Sequence, residues 1–201
     1  MTAPVIEFWF DFSSSYAYFA ALEIEALAER LGRRVLWRPF MLGTAFEQTG
    51  AKGLSRTPLK KDYANHDWRR IARLRGVTFA PPTFHPTIAL PATRAFYAIE
   101  RTAPQRAPAF AKGVFETYYR GELDSGDPKA VQAFAESLGF DGAMVAAGMA
   151  DPEIKALAKA RSEEAVGRGV FGSPWFFADG EPFWGWDRMR MLEDWLRRGG
   201  W

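Results

Sequence analysis

The sequence of 201 residues contains no cysteine. Disulfide bonds, zinc sites with thiolate ligands, cysteine nucleophiles and dithiol redox chemistry are therefore excluded, and any thiol must come from a ligand. Histidine is scarce as well, since His66 and His85 are the only two. They lie too far apart in the sequence to indicate a metal-binding motif, and no Ser-His-Asp order stands out. We therefore expect neither a bound metal nor metal-dependent hydrolysis.

The chain also lacks an excess of either charge, and it lacks long apolar runs. Its 26 Lys and Arg residues nearly balance 24 Asp and Glu, and a formal net charge of +2 does not indicate nucleic-acid binding. No run of about 18 apolar residues occurs, and residues 1–4 do not begin a secretory signal. We expect a cytoplasmic protein that binds neither membranes nor nucleic acid. Aromatic residues, by contrast, make up 15% of the chain, which favours apolar clefts as well as core.

The beginning of the chain predicts a βαβ unit. Val5–Phe10 is a β-prone run without clean alternation, which is typical of a strand covered on both faces. Apolar residues recur at helical spacing from Tyr16 to Leu31, and Gly32 is suited to follow the end of a helix. Val35–Arg38 then predicts a second strand. Two strands joined in this way are expected to be parallel.

The middle of the chain, from about Met41 to Arg168, indicates helices and almost no strands. Asp127-Pro128 and Asp151-Pro152 are both typical of a helix start. In each pair, Asp can accept hydrogen bonds from free amides, and Pro lacks the amide that would otherwise stay unpaired. Apolar residues follow each pair at helical spacing. We therefore predict an all-helical subdomain in this region.

The end of the chain returns to strands, at Trp175–Ala178 and Pro182–Trp184, with an Asp179-Gly180 hairpin turn between them and an amphipathic helix after them. The order βαβ, helices, ββα predicts an α/β protein with a thioredoxin-like fold and an inserted all-helical subdomain. We assign residues 1–40 and 167–201 to a discontinuous thioredoxin-like domain. Residues 41–166 form the predicted helical insertion.

The segment Asp11–Tyr16 connects the first strand to the N-terminus of the first helix. Free amides and the positive end of the helix dipole stabilise an anion there, such as a thiolate or a carboxylate. Thioredoxin-like oxidoreductases carry their reactive cysteine pair at this position, whereas this chain has Ser13, Ser14 and Ser15. A serine hydroxyl without a neighbouring base is a poor nucleophile but a good hydrogen-bond donor to a thiolate. The simpler alternative is that these serines only cap the helix.

Two further segments are candidates for ligand binding. Ser173-Pro174 precedes a predicted strand, where thioredoxin-like folds place a cis-proline and leave the backbone of the preceding residue free to pair with an extended peptide. The isomer cannot be determined from the sequence, and an ordinary turn is the alternative. Asp187 and Arg188 precede the last helix and are suited to bind a ligand ammonium and a ligand carboxylate. Asp187 is equally suited to cap that helix.

Taken together, these segments resemble the 2-hydroxychromene-2-carboxylate isomerase family, which is close to the kappa-class glutathione transferases and more distant from the DsbA-type oxidoreductases. The resemblance spans nearly the whole chain. Its motifs, in order, are Phe10-Asp11-Phe12-Ser13-Ser14, Trp37-Arg38-Pro39-Phe40-Met41-Leu42-Gly43, Pro58 with Lys60 and Tyr63, Gly169-Val170-Phe171-Gly172-Ser173-Pro174, and Phe183-Trp184-Gly185-Trp186-Asp187-Arg188.

The resemblance implies a glutathione-dependent isomerase that interconverts 2-hydroxychromene-2-carboxylate and trans-o-hydroxybenzylidenepyruvate, a step in bacterial naphthalene degradation. It implies a small aromatic carboxylate as substrate and a homodimer as assembly. Ser14 matches the family serine that contacts the glutathione sulfur, and we interpret it as a thiolate stabiliser rather than a nucleophile. The residues expected to bind glutathione are Ser14, Lys60, Ser173, Pro174, Asp187 and Arg188. Tyr16 and Phe40 are expected to line the substrate pocket.

The chain departs from the family pattern at three positions. The family usually has Pro where Ser15 stands, Asn or Ser where Trp186 stands, and Gly-Asn where Gly50-Ala51 stands. The missing Asn removes a polar contact to the cofactor, and Trp186 is expected to fill space near the γ-glutamyl group. Two other functions therefore stay open. One is a kappa-like glutathione transferase, and the other is a non-catalytic thioredoxin-like module that binds peptides at Ser173-Pro174.

Overall fold

The computed structural model describes residues 3–201. Its strands are β1 (Val5–Phe10), β2 (Arg34–Pro39), β3 (Trp175–Ala178) and β4 (Glu181–Trp184). Its helices are α1 (Ser15–Ala21), α2 (Ile24–Arg30), α3 (Leu42–Thr49), α4 (Lys60–Arg75), α5 (Leu90–Thr102), α6 (Ala107–Tyr119), α7 (Pro128–Ser137), α8 (Gly142–Ala150), α9 (Pro152–Gly167) and α10 (Met189–Arg198). Short 3-10 turns lie at Leu54–Arg56 and Trp186–Arg188.

The strands form one mixed sheet in the order β2-β1-β3-β4. β1 pairs in parallel with β2, with Phe8 opposite Trp37, and antiparallel with β3, with Phe8 opposite Phe176. The strands β3 and β4 form the predicted hairpin. The helices α3 to α9 lie in sequence between β2 and β3. The predicted α/β class and thioredoxin-like fold with inserted helices are therefore confirmed.

The central strand β1 is covered on both faces, which explains its almost continuous apolar sequence. Phe8 and Phe10 are fully buried and point into the main core, where the Phe10 ring lies 5.4 Å from that of Phe115 on α6. Trp9 points to the opposite face and packs 6.4 Å from Phe40, in a second buried cluster. Each buried phenylalanine contributes about 2–3 kcal/mol of transfer free energy. One core thus extends from the sheet into the inserted helices, and the boundaries assigned to residues 41–166 stay a prediction.

The helix predicted from Tyr16 onward is interrupted in the structure. α1 ends at Ala21 and α2 begins at Ile24, so Glu23 lies in the break with non-helical φ and ψ of −122° and −24°. The Glu23 carboxylate accepts a hydrogen bond from the Trp186 indole at 2.9 Å, a contact between residues far apart in the chain. Apolar spacing carries no information about this contact, which explains why the break was not predicted. Gly32 adopts a positive φ of 64° directly after α2, as predicted.

The two predicted Asp-Pro helix starts are confirmed. The Asp127 carboxylate accepts a hydrogen bond from the Lys129 amide at 2.9 Å at the start of α7. The Asp151 carboxylate accepts one from the Glu153 amide at 2.8 Å at the start of α9. Replacing such a cap with Ala typically costs about 1 kcal/mol of stability.

Candidate functional site

Ser14 lies between the end of β1 and the start of α1, where its hydroxyl has two contacts. It accepts a long hydrogen bond from the Ala17 amide at 3.3 Å, so Ser14 does cap α1. It also donates a hydrogen bond to the carbonyl oxygen of Ser173 at 2.8 Å. Ser14 and Ser173 are 159 positions apart in the sequence, and the fold brings them into direct contact. Ser14 therefore both caps α1 and faces the loop that is predicted to bind a ligand.

The peptide bond between Ser173 and Pro174 is cis. Ser173 is held from the other side by its own hydroxyl, which accepts a hydrogen bond from the Asp11 amide at 2.9 Å. The carbonyl oxygen of Pro174 accepts a hydrogen bond from the Gly185 amide at 3.0 Å. The loop before β3 is thus attached both to the β1–α1 connection and to the segment after β4. These contacts hold the Ser173 carbonyl towards Ser14.

Asp11 is a buried carboxylate at the centre of this arrangement. Its oxygens accept hydrogen bonds from the Ser13 amide at 2.8 Å and from the Leu42 amide at 2.9 Å. Burial raises the pKa of Asp11 above its ordinary value, and the hydrogen bonds from Leu42 and Ser13 oppose that increase. Asp11 therefore ties the β1–α1 connection to the start of α3. From the sequence, Asp11 is assigned only to the segment that connects the first strand to the first helix and to a family motif, with no role of its own.

A second set of contacts holds Ser13 from the side of the inserted helices. The Ser13 hydroxyl donates a hydrogen bond to the carbonyl of Thr87, and the Thr87 amide donates to the Tyr118 hydroxyl at 3.3 Å. The Tyr118 oxygen lies 2.9 Å from Nδ1 of His85. Burial lowers the pKa of His85 to about 4, so the imidazole is neutral at pH 7. The neutral imidazole and the Tyr118 hydroxyl thus share one hydrogen bond, and Nε2 of His85 lies 3.4 Å from the Ser55 hydroxyl.

The sequence analysis assigned no role to His85 and did not consider Tyr118. The pair is not visible in the sequence because its members are 33 positions apart and meet only when α6 packs beside the loop that contains His85. The signal available was a lone histidine in a segment rich in proline and aromatic residues. That pattern indicates packing as readily as it indicates function.

Tyr16 connects α1 to α4 beside this site. Its hydroxyl donates a hydrogen bond to Asp67 at 2.9 Å, and its ring lies 6.1 Å from that of Trp68. Burial raises the pKa of Tyr16, and the carboxylates of Asp67 and Asp187 raise it further. Asp187 is thus close enough to Tyr16 to influence its ionisation. Phe40, by contrast, is fully buried against the sheet, so its expected role in lining a pocket is wrong.

The charged residues predicted to bind glutathione lie on the surface. Asp187 and Arg188 pair with each other at 3.3 Å, and their side chains are 66% and 51% exposed. Lys60 is the exposed first residue of α4. Asp187 is inside the 3-10 turn and does not cap α10, which begins at Met189 without a side-chain cap, so the capping alternative is wrong. The fold therefore brings Ser14 into contact with Ser173. Within residues 3–201, Lys60, Asp187 and Arg188 form no hydrogen bond with Ser14.

The three departures from the family pattern have different surroundings. The Ser15 hydroxyl is buried and has no hydrogen-bond partner within the described residues. Trp186 directs its indole N–H to Glu23, and the guanidinium of Arg75 lies 5.2 Å from the centre of its ring. Ala51 is exposed. Trp186 is thus held by protein contacts on both its polar atom and its ring.

Within residues 3–201, the part of the chain that the structure describes, no group of His, Asp and Glu side chains is arranged to hold a metal ion. None of its helices has the length and apolar character needed to cross a bilayer.

Comparisons with known proteins place these observations in a family. A family model for a DSBA-like thioredoxin domain matches residues 5–197. The chain is 28% identical over 193 residues to a 2-hydroxychromene-2-carboxylate isomerase of Sphingobium xenophagum, which covers 95% of this chain and 97% of that protein. It is 24% identical over 205 residues to glutathione s-transferase kappa 2 of Caenorhabditis elegans, covering 96% of this chain and 91% of that protein.

A solved structure of a 2-hydroxychromene-2-carboxylate isomerase superposes on this chain with a TM-score of 0.86 at 26% identity. The superposition covers 96% of this chain and 95% of that structure. The similarity therefore includes the sheet, the inserted helices and both segments that carry Ser14 and Ser173. It confirms the resemblance predicted from the sequence motifs.

Proposed function

This chain belongs to the DSBA-like thioredoxin domain family, and we propose that within it the protein is a glutathione-dependent isomerase. The proposed reaction interconverts 2-hydroxychromene-2-carboxylate and trans-o-hydroxybenzylidenepyruvate. The observation that carries the proposal is the contact between the Ser14 hydroxyl and the Ser173 carbonyl beside a cis-proline, in a chain without cysteine. In related proteins of this fold, a cysteine thiol occupies this position, and we propose that the thiol of a ligand occupies it here.

The residues present fit glutathione, an extended peptide with a thiol and charged ends. Ser14 offers a hydroxyl donor for the sulfur, and the backbone of Ser173 offers a pairing partner for an extended chain. Asp187 and Arg188 are exposed, and within residues 3–201 their side chains form an ion pair with each other alone, so both are available to an ammonium and a carboxylate. Lys60 is a further exposed cation for a carboxylate of cofactor or substrate.

Glutathione, when bound, supplies a thiolate that adds reversibly to a conjugated double bond and is later expelled, so that it is not consumed. Ser14 stabilises that negative charge by donating its hydroxyl hydrogen, together with the positive N-terminal end of α1. Ser14 is not the nucleophile, because no basic side chain forms a hydrogen bond with its hydroxyl within residues 3–201. The His85 nitrogen nearest to this region is already paired with Tyr118.

The contact between Ser14 and Ser173 implies a change of partner on binding. The Ser14 hydroxyl has one hydrogen, which it donates to the Ser173 carbonyl in this structure. When that hydrogen turns to an anion, the Ser173 carbonyl becomes free to accept a hydrogen bond from an amide of an extended ligand. The Ser14 hydroxyl thus satisfies the Ser173 carbonyl until an amide of the ligand replaces it.

The test is to follow the absorbance of 2-hydroxychromene-2-carboxylate with purified protein, with and without glutathione, while free thiol is counted. Conversion that requires glutathione and leaves its concentration unchanged supports the isomerase. No conversion in either condition contradicts the substrate assignment.

The similarity to a kappa glutathione transferase supports one alternative, in which the same site forms a stable conjugate. Loss of one thiol for each molecule of substrate identifies that activity. The same thiol count therefore separates the two enzymes in a single experiment.

A further inference from the structure

A cavity of about 300 Å³ lies among the inserted helices and shares no residue with the Ser14 site. It is open to solvent on one side and is bordered by the start of α5, the start of α7 and the junction of α8 with α9. Its lining includes Pro91, Arg94, Pro128, Gln132, Met149 and Lys155.

The charge in this cavity is of one sign. Neither Arg94 nor Lys155, both in its lining, forms an ion pair within residues 3–201. The nearby Asp151 pairs with Arg101 at 2.8 Å. The two charged residues in the lining are therefore both cations, and neither has an ion-pair partner among the described residues.

Arg94 is partly buried, and one of its nitrogen atoms lacks a hydrogen-bond partner within residues 3–201. Its Nε atom is buried and has no hydrogen-bond acceptor in the described part of the chain. A buried donor on a charged group that lacks an acceptor costs more than a neutral one, and most buried polar atoms in folded proteins are satisfied. A guanidinium is suited to bind the two oxygens of a carboxylate at once.

The remaining walls are apolar. Pro91 and Pro128 occupy the first turns of α5 and α7, so neither contributes an amide at the cavity, and Met149 on α8 adds a flexible thioether. The volume lies at the lower end of the range for small-molecule sites. Such a site fits a molecule of about one ring with a short substituent.

We propose that this cavity binds a small monocarboxylate with an apolar or aromatic body, with Arg94 and Lys155 on the carboxylate. The assignment does not depend on the isomerase proposal, because no residue of the Ser14 site takes part. Its consequence is a second site on the helical side of the molecule for the chemical class of benzoate.

The test is a titration of the full chain with benzoate, with its neutral analogue benzamide and with inorganic phosphate, followed by amide chemical shifts in nuclear magnetic resonance spectra. Benzoate is expected to shift amides of residues 146–155 and to bind about tenfold more tightly than benzamide, because only benzoate pairs with the cations. Phosphate binding as tight as that of benzoate contradicts the apolar part of the site. Benzoate shifts confined to other regions contradict the site itself.

Two variants assign the binding to the cations. Lys155→Met and Arg94→Met are each expected to weaken benzoate binding about tenfold. Lys155 is exposed, so its replacement leaves the fold intact and carries the test even where Arg94→Met lowers stability. Lys159→Met is the matched control, because Lys159 lies one turn further along α9 and pairs with Glu163 at 3.4 Å. Equal benzoate affinity in Lys155→Met and wild type overturns the proposal.

Discussion

The two ends of the candidate glutathione site differ in how they are held. At one end, Ser14, Ser173 and Asp11 are joined by hydrogen bonds of 2.8–2.9 Å between distant parts of the chain. At the other end, Asp187 and Arg188 are more than half exposed and form an ion pair with each other. The first end is therefore fixed by contacts between distant parts of the chain, whereas the side chains of the second end are exposed to solvent.

The difference separates two kinds of contribution to function. Hydrogen bonds that are formed before the ligand arrives add no ordering cost during the reaction and are effective at stabilising a developing charge. An exposed ion pair such as Asp187–Arg188 contributes about 0–1 kcal/mol to stability and is screened by salt. Substitutions at the first end should therefore change the rate of the chemical step, and substitutions at the second should change cofactor affinity.

The largest effect is expected from Ser14→Ala. Loss of the hydroxyl donor should lower kcat/KM for the proposed isomerisation about 100-fold, the usual result of removing one donor to a developing anion. It should also raise the pKa of the bound thiol, which is measured by following thiolate absorbance against pH in the complex. Loss of the cap on α1 should reduce the free energy of unfolding by about 1 kcal/mol.

Ser15→Ala is the matched control for this variant. The Ser15 hydroxyl is buried beside Ser14 in the sequence but has no hydrogen-bond partner within residues 3–201, so its removal should change neither the rate nor the thiol pKa. Equal losses of activity in the two variants would mean that the Ser14 end has no special role.

Features set by residues close together in the sequence could be predicted, whereas contacts between residues far apart in the sequence could not. Local sequence patterns were sufficient to predict the strands, the helix caps at Asp127 and Asp151, and a helix that begins beside the serines of residues 13–15. The position of Ser14 opposite Ser173 followed from the fold, once the fold was recognised. The cis geometry at Pro174 could not be predicted, because no local sequence signal determines it.

Contacts between distant residues account for what was missed. Glu23, in the break, contacts Trp186, and Ser13 contacts Thr87, whose amide donates to Tyr118. These partners meet only after the inserted helices pack on the sheet, and one sequence shows no such pairing. The residues that hold the first end of the site were therefore harder to predict than the residues that would touch a ligand.

His85 lies in the inserted region and is connected to Ser13 through Tyr118 and Thr87. Its pKa falls from 6.5 to about 4 on folding, so the folded state disfavours the protonated form. The resulting stability is fully present above the unfolded pKa and is lost as the pH falls from 6.5 towards 4. Between about pH 7.5 and pH 4.5, this residue alone should remove about 2–3 kcal/mol of unfolding free energy.

Urea unfolding at these two pH values, for wild type and for His85→Gln, measures this contribution. The variant has no titrating imidazole at this position, so its stability should change less over the same interval. His66→Gln is the control, because His66 is the other histidine and is exposed. If the pH dependence persisted in His85→Gln and disappeared in His66→Gln, His66 rather than His85 would be the titrating residue, which would contradict the prediction.

The smallest effect is expected at the exposed end of the site, from Asp187→Asn. The change removes the charge that is proposed to bind the glutathione ammonium, so the KM for glutathione should rise about fivefold to tenfold, while kcat stays within about twofold. The free energy of unfolding should stay within about 0.5 kcal/mol, because the partner Arg188 remains solvated. Asp194→Asn, which breaks a comparable exposed pair with Arg198 on α10, is the control and should leave KM unchanged. A fall in kcat with an unchanged KM would place Asp187 with Ser14, among the groups that act on the reacting atoms, and would remove the distinction between the two ends.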